Sequence, residues 1–399
     1  MSEIFPIRFS DSSYNGSSFE QQQFAMIFNA LSLLFCIFVS FVGITILRLF
    51  VFNLIDTTMN PGKWHKLSLY QEKEKGNSVH CHLCPHDCVI HDGMTGICKT
   101  RVNSEGTLYC TAYGNPCSVS IDPIEKKPLF HFLPGERIFS LATPGCNFHC
   151  LNCQNWEISQ VSPQKINRYE LMPVEVVQQA TGHRCKLIAF TYTEPTVYYE
   201  YMFDIAQNAH KKGVKTVLIS NGYINQQPLQ DLCPLLDAAN IDLKCFDEDL
   251  YRSLCGGALK PVLFTLKTLK EQGVWLEITN LLIPGYTDNM EMIEEMCVWL
   301  VKNGFEDTPL HFSRFFPSYK LPEVLPTPES ALIEARKIAK KAGINYVYIG
   351  NMPELGYENT NCTRCNRRIV VRDGYKVIEN HVKDGVCGFC GEPVPGVWK

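Results

Sequence analysis

Past residue 137 the chain alternates between two hydrophobic periods. Short apolar or β-branched runs recur at Ile138–Ala142, Lys186–Thr191, Lys215–Ser220, Asn240–Leu243, Trp275–Ile283, Leu310–Phe315 and Tyr346–Ile349. Between them lie stretches of helical period. Glu291–Asn303 sets Ile293, Met296, Cys297 and Leu300 on one face and ends at Gly304, a residue suited to terminating a helix. Pro328–Ala342 opens with proline at a first turn, stops before Gly343, and turns Leu332, Ala335, Ile338, Ala339 and Ala342 inward. The alternation amounts to six or seven β/α units and argues a parallel sheet, hence an α/β fold. Periodicity does not decide between a closed barrel and an open sheet. In either form, chemistry collects at the C-terminal ends of the strands.

The N-terminal part reads differently. Residues 1–23 are polar, rich in Ser and Gln and without period, which predicts a disordered tail. Phe24–Leu47 holds no charged residue. As a helix it would run roughly 36 Å, enough for a hydrocarbon core of about 30 Å, and residues 24–52 are expected to form a single transmembrane anchor. A signal peptide would need a basic leader, a shorter apolar run and a small-residue cleavage site, and none is present. Arg48, Lys63 and Lys66 follow the span and Arg8 alone precedes it, so the positive-inside rule puts the large C-terminal body in the cytosol. Residues 53–79, with Asn60-Pro-Gly62 and the charged Gln71–Asn77, read as a linker.

At 399 residues and 45% hydrophobic content the chain can bury a large core, and its length predicts a main domain with appendages. The net charge of −4 and the lack of a Lys/Arg run argue against a nucleic-acid partner. Nineteen cysteines change the picture more. Eleven of them fall in three compact groups with ligand-like spacing, which favours metal binding in a reducing compartment over disulfides.

The central group is Thr143-Pro-Gly-Cys146-Asn-Phe-His-Cys150-Leu-Asn-Cys153-Gln-Asn-Trp156, directly after a predicted strand. Three thiolates spaced C-x3-C-x2-C can hold a four-iron cube and leave one iron without a protein ligand. A zinc knuckle completed by His149, or reduced core cysteines without metal, is the alternative. The N-terminal group, Cys81, Cys84, Cys88 and Cys98, lies in a segment (80–136) rich in cysteine and histidine. It could close a structural zinc, hold an auxiliary iron–sulfur cluster, or be a metal-free loop, and His82, His86 and His91 leave the ligand set ambiguous. The C-terminal group, Cys362/Cys365 and Cys387/Cys390, is two C-x2-C pairs around a β-prone stretch in residues 352–399. That layout is zinc-ribbon-like or rubredoxin-like and predicts one Zn or Fe. Asp122-Pro-Ile-Glu-Lys-Lys-Pro128 and its continuation to Gly135 carry three prolines. They read first as a solvated connector, with a lid or substrate-facing role as the alternative.

Polar groups stand at successive predicted strand ends: Thr193-Glu194-Pro195, Ser220-Asn221-Gly222 and Asp242-Leu-Lys244. With the cysteine loop, these stretches resemble the radical S-adenosylmethionine (SAM) core of pyruvate formate-lyase-activating enzymes. The resemblance implies a partial (β/α)6-type barrel over residues 137–351 and a [4Fe-4S] cluster on Cys146, Cys150 and Cys153. It also implies that SAM chelates the open iron, with Thr193, Glu194 and Pro195 at its amine and Ser220, Asn221, Asp242 and Lys244 at its other polar parts. The flanks are similar to those of AmmeMemoRadiSam-system radical SAM proteins: Cys81–Cys98, Asp122–Pro128, His131–Gly135, Gln154-Asn-Trp156, Tyr348–Asn351 and the tail beyond Cys362. This likeness covers nearly everything past Lys66 but not the apolar span.

The chain departs from the pattern in four places. Asn152 stands where an aromatic residue commonly precedes the third cysteine, so that adenine packing falls to Trp156 or Phe148. Tyr192 and Thr193 replace glycines before Glu194-Pro195. Glu277 and the surroundings of Arg314 lack an Arg and a His of the activating enzymes, which speaks against glycyl-radical activation itself. The expectation is an enzyme that takes one electron from an external donor, cleaves SAM reductively and abstracts hydrogen from an unidentified substrate, a protein among the candidates. A non-catalytic iron–sulfur or zinc scaffold, or an electron carrier, is the competing class. It would have no use for the polar strand ends.

Overall fold

The computed structural model describes residues 62–352 and 356–399. The expected tail and anchor, residues 1–52, lie outside the described residues. Among the described residues no helix is long and apolar enough to cross a membrane. The described residues belong to one compact unit.

The centre is an eight-stranded sheet: β1 (Ser118–Pro123), β2 (Arg137–Ala142), β3 (Leu187–Phe190), β4 (Lys215–Ser220), β5 (Ala238–Asp242), β6 (Trp275–Leu282), β7 (Leu310–Arg314) and β8 (Val347–Gly350). Its spatial order is the order of the sequence. β1 pairs antiparallel with β2, and every later neighbour is parallel. Seven parallel strands are thus joined by six helical crossovers: α1 (Pro173–Gly182), α2 (Tyr199–His210), α3 (Gln226–Leu232), the pair α4 (Glu248–Cys255) and α5 (Leu259–Glu271), α6 (Met290–Lys302) and α7 (Glu329–Ala342). This is the (β/α)6 arrangement, and β1 and β8 remain its two unpaired edges. The predicted strand runs match closely. β1 is the strand they omit, although Val119 and Ile121 alternate with Ser118 and Ser120 there.

The two faces of the sheet bury different partners. Phe139, Leu141, Ile188, Phe190, Leu218 and Ile241 pack under the helices in the main core. On the other face Ile138, Leu187, Ala189, Val217 and Ala238 meet Ile124, Leu129, Phe132 and Leu133. The proline-bearing segment after Asp122 is therefore not a solvated connector. Its prolines bar a ladder of its own, and it lies as a plug on the sheet's inner face with Ile124, Leu129 and His131 wholly buried.

Buried polar groups fix the plug. The Glu277 carboxylate accepts the backbone N–H of Phe130 (2.9 Å) and of His131 (2.7 Å), and His311 Nε2 lies 2.7 Å away. Asn240 donates to the Pro128 carbonyl at 2.7 Å. Glu277, one of the departures from the activating enzymes, thus braces the floor of the sheet rather than facing a ligand. The C-terminal ribbon, built on Arg368–Asp373 and Lys376–Asn380, docks beneath. Buried Arg372 donates to the carbonyls of Phe130 (2.6 Å) and Glu358 (3.0 Å). His131 is bonded on both ring nitrogens, to the Tyr348 hydroxyl and the Pro395 carbonyl.

The N-terminal segment adds two small three-stranded sheets. It is held to α2 by the buried pair Arg101–Glu200 at 2.7 Å, with Ser68 Oγ on the same guanidinium nitrogen.

Candidate active site

Strand ends and one loop enclose a cavity of about 910 Å³, counting its open mouth. Cys146, Cys150 and Cys153 line it from the loop after β2, and Thr193, Asn221, Asp242 and Lys244 from the ends of β3, β4 and β5. Seven of the residues expected at the site therefore converge. The loop is tightly anchored. Asn147 donates to the Tyr223 carbonyl and accepts from Asn221 Nδ2, each at 2.8 Å. Gly145 (φ 96°) lies so close to Cys98 that a Cβ would meet its carbonyl at 2.6 Å.

Glu194, Pro195 and Ser220 do not line this cavity. Glu194 is fully buried. Its Oε1 accepts from the Thr196 N–H (3.0 Å), the Thr196 hydroxyl (2.7 Å) and the Ser220 hydroxyl (2.7 Å), while Oε2 accepts from the Asn221 N–H (2.9 Å). Burial raises its pKa above the ordinary carboxylate value, with these hydrogen bonds opposing. Glu194 is a brace that ties the end of β3 to the end of β4. Pro195 opens the buried helical turn that follows.

Lys244 Nζ lies 2.6 Å from the Asp242 carboxylate, and both side chains keep partial exposure to the cavity. Burial alone would lower the pKa of Lys244, but Asp242 outweighs it and holds the ammonium charged. An ammonium, a carboxylate and neutral amide and hydroxyl groups thus line the cavity together with the thiols. That set suits a ligand with an amino acid end and hydroxyl groups.

Several lining residues were not among those expected: Asn155, Thr279, Leu281, Ser313 and Asn351. Thr279, Leu281 and Ser313 occupy the C-terminal ends of β6 and β7, and Asn351 follows β8. Their place at strand ends is the signal that would find them. Of the two aromatic candidates, Phe148 lines the cavity and Trp156 does not. Trp156 instead stacks on Tyr319 at 5.2 Å.

Beside this cavity opens a second of about 610 Å³, sharing Asn155, Tyr192, Thr193, Asn221 and Asp242 with it. Lys126 and Lys127 line its far side, so the plug reaches the site after all. Tyr192 holds a left-handed backbone (φ 70°) where glycine would be at ease. Its hydroxyl donates to Asp122 at 2.9 Å, and Lys127 Nζ lies 2.8 Å from the same carboxylate. Burial would raise Asp122, but Lys127 and Ser120 keep it well below the usual carboxylate range.

The two other cysteine groups lie apart from this cavity. All four sulfurs of Cys362, Cys365, Cys387 and Cys390 fall within 4.8 Å of one another. Cys362 and Cys390 are 3.6 Å apart and Cys365 and Cys387 3.8 Å. Sulfurs on one tetrahedral ion with bonds of about 2.3 Å stand about 3.8 Å apart, so this set fits a single ion. Cys81, Cys84, Cys88 and Cys98 line one cavity of their own.

The radical SAM superfamily matches residues 140–300. The uncharacterized protein MJ0808 of Methanocaldococcus jannaschii is 46% identical over 329 residues, spanning 82% of this chain and 98% of that one. A pyruvate formate-lyase-activating enzyme of Staphylococcus epidermidis is 25% identical, over 51% of this chain and 88% of the enzyme. Among solved structures, TYW1 with a bound lysine–pyruvate adduct aligns with a TM-score of 0.36 and 22% identity, over 51% of this chain and 73% of that one. The chain therefore belongs to the family of MJ0808 and carries a radical SAM domain at its core.

Proposed function

We propose that this protein is a radical SAM enzyme whose [4Fe-4S] cluster is held by Cys146, Cys150 and Cys153, with SAM in the adjoining cavity. The observation that carries the reading is the convergence of these three thiols with Thr193, Asn221, Asp242 and Lys244 on one cavity. Three thiolates lining the cavity fit a cube with one open iron. When bound and reduced by one electron from an external donor, the cluster supplies reductive cleavage of SAM to methionine and a 5′-deoxyadenosyl radical, which takes hydrogen from a substrate. The chain's own share is placement. Asp242 and Lys244 offer opposite charges to the amino acid end of SAM, Asn221 and Thr193 offer hydrogen bonds, and Glu194 and Ser220 hold those strand ends in register. Of the aromatic candidates for adenine, Phe148 borders the cavity while itself almost wholly buried. The adjoining cavity with Tyr192, Lys126 and Lys127 is the place for the substrate, a protein side chain being one fit for its open mouth.

The reading extends to the AmmeMemoRadiSam-system radical SAM proteins, on the flanking motifs of the sequence. It also includes a single-span membrane anchor at residues 24–52 with the catalytic body in the cytosol. Protease added to sealed cytosol-side-out vesicles should digest the body and spare an N-terminal tag; protection of the body would reverse the topology.

The chemical test is anaerobic incubation with SAM and dithionite. The wild type should yield 5′-deoxyadenosine, and Cys146→Ala, Cys150→Ala and Cys153→Ala should each yield none. A triple variant that still cleaves SAM sinks the proposal. A wild type with full iron that never cleaves SAM would favour the competing scaffold or electron carrier.

A further inference from the structure

Around the N-terminal cysteines, each nearby histidine has a hydrogen-bond partner on one ring nitrogen. His82 Nδ1 lies 2.9 Å from Asp87, His86 Nε2 2.6 Å from the Asn147 carbonyl, and His91 Nδ1 2.9 Å from Ser78 Oγ. Each of the three histidines thus has one ring nitrogen engaged outside the cysteine set, and only His86 of the three lines the cavity that the cysteines share. Cys81, Cys84, Cys88 and Cys98 line one cavity, walled by Leu83, Ile90 and Val197.

Two observations separate a cluster from a single ion. Among the described residues, no three of these four sulfurs lie within 4.8 Å of one another, whereas the four at Cys362–Cys390 all do. Thiolates at the corners of an iron–sulfur cube stand outside it and so farther apart than those around one tetrahedral ion. The central loop shows the same wide spacing, for Cys146, Cys150 and Cys153 do not meet that limit either. The second observation concerns charge. Arg101 lines the same cavity and is 1% exposed. One of its nitrogens binds Glu200, but Nε and Nη2 are buried without a hydrogen-bond partner. Two bare guanidinium donors in an apolar wall are costly, and an anion in the cavity would take them. A cluster on four thiolates carries net negative charge, and hydrogen bonds to its sulfurs tune its potential.

The cavity also shares a wall with the catalytic loop. Asn147, next to Cys146, lines it together with Thr196 and Val197. The Cys98 carbonyl packs against Gly145. We propose that Cys81, Cys84, Cys88 and Cys98 hold a second, redox-active iron–sulfur cluster that stands beside the first and passes it an electron from a one-electron donor. The transfer oxidises the second cluster by one electron and reduces the first by one, with no bond made or broken. This rests on the reading of the central loop given above.

The experiment uses the full chain, reconstituted anaerobically with iron and sulfide. In Cys146→Ala/Cys150→Ala/Cys153→Ala we expect about four sulfides per chain and, after dithionite, the paramagnetic signal of a reduced cube. Acid-labile sulfide distinguishes it from a single iron at Cys362–Cys390, which has none. Adding Cys81→Ala/Cys88→Ala should remove sulfide and signal together. Zinc without sulfide in the central triple variant, or no metal beyond the C-terminal ion, overturns the proposal. Cys81→Ala/Cys88→Ala alone should keep about four sulfides on the central loop. If it keeps none while the triple variant keeps its own, the central reading fails and this one stands. In the wild type the two reduced clusters should couple, broadening the signal beyond the sum of the two variants; a plain sum overturns the electron transfer. Cys84→Ser serves if the alanine variants fail to fold. An unchanged signal in the folded serine variant also overturns the proposal.

Discussion

The Glu194 carboxylate accepts the backbone N–H of Asn221 at 2.9 Å, which binds the end of one strand to the end of the next at the rim of the site. All four of its hydrogen-bond partners are donors. An amide in its place would turn an NH2 group toward one of them. Glu194→Gln should therefore weaken SAM binding about tenfold or more, the scale of one to two kcal/mol for a buried group left unmatched. Iron on the central loop should be retained. Equilibrium dialysis with SAM checks this, and unchanged affinity would show that the brace is dispensable.

Asp242 tests the polar lining of the cavity. Its removal strips Lys244 of its partner and leaves an uncompensated cation facing the ligand. Asp242→Ala should weaken SAM binding roughly ten- to hundredfold, as loss of a charge-assisted hydrogen bond does. The iron content and the thiolate-to-iron absorption should not change. Normal SAM affinity would remove Asp242 from the binding wall.

His131 gives the fold a specific acid sensitivity. Burial lowers its pKa from an ordinary 6.5 to about 4, with Glu277 opposing. Between those values the unfolded chain takes up a proton that the folded chain refuses. The stability His131 confers is thus fully present above about pH 6.5 and is lost as pH falls toward 4, by up to ~1.4 kcal/mol per pH unit. His131→Phe should be less stable at neutral pH but show a shallower decline over that window. Parallel denaturation midpoints for the two proteins would show that His131 is charged in the folded state.

At the C-terminal set, metal binding and folding should be one event. Cys362→Ala should lose about one metal ion per chain and lower the melting temperature. The fraction that stays folded should still cleave SAM. Full loss of cleavage in a folded Cys362→Ala protein would assign the ribbon a direct part in catalysis.

The strand runs and the cysteine loop were legible in the sequence because each is local. Lys215–Ser220 is a run of apolar and β-branched residues whatever surrounds it, and Met290–Lys302 shows its buried face at helical spacing. What was not legible depends on partners far away in the chain. Phe130 and His131 look like part of a solvated connector until Glu277, 147 and 146 residues on, takes their N–H groups. Glu194 reads as a ligand contact from its motif, and only the position of Thr196, Ser220 and Asn221 around it turns it inward. Tyr192 departs from the expected glycine, yet its left-handed backbone keeps the geometry a glycine would give.

The plug's bonds also set an order of events. His131 is tied to Pro395 across 264 residues, and the Leu133 N–H meets the Val397 carbonyl at 2.7 Å. Contacts so distant in sequence close late in folding, whereas the sheet, laid down strand by strand in chain order, can assemble from neighbours. A fragment ending after β8 would therefore keep the sheet and the cysteine loop but leave the plug without the Pro395 and Val397 partners that fasten it from below.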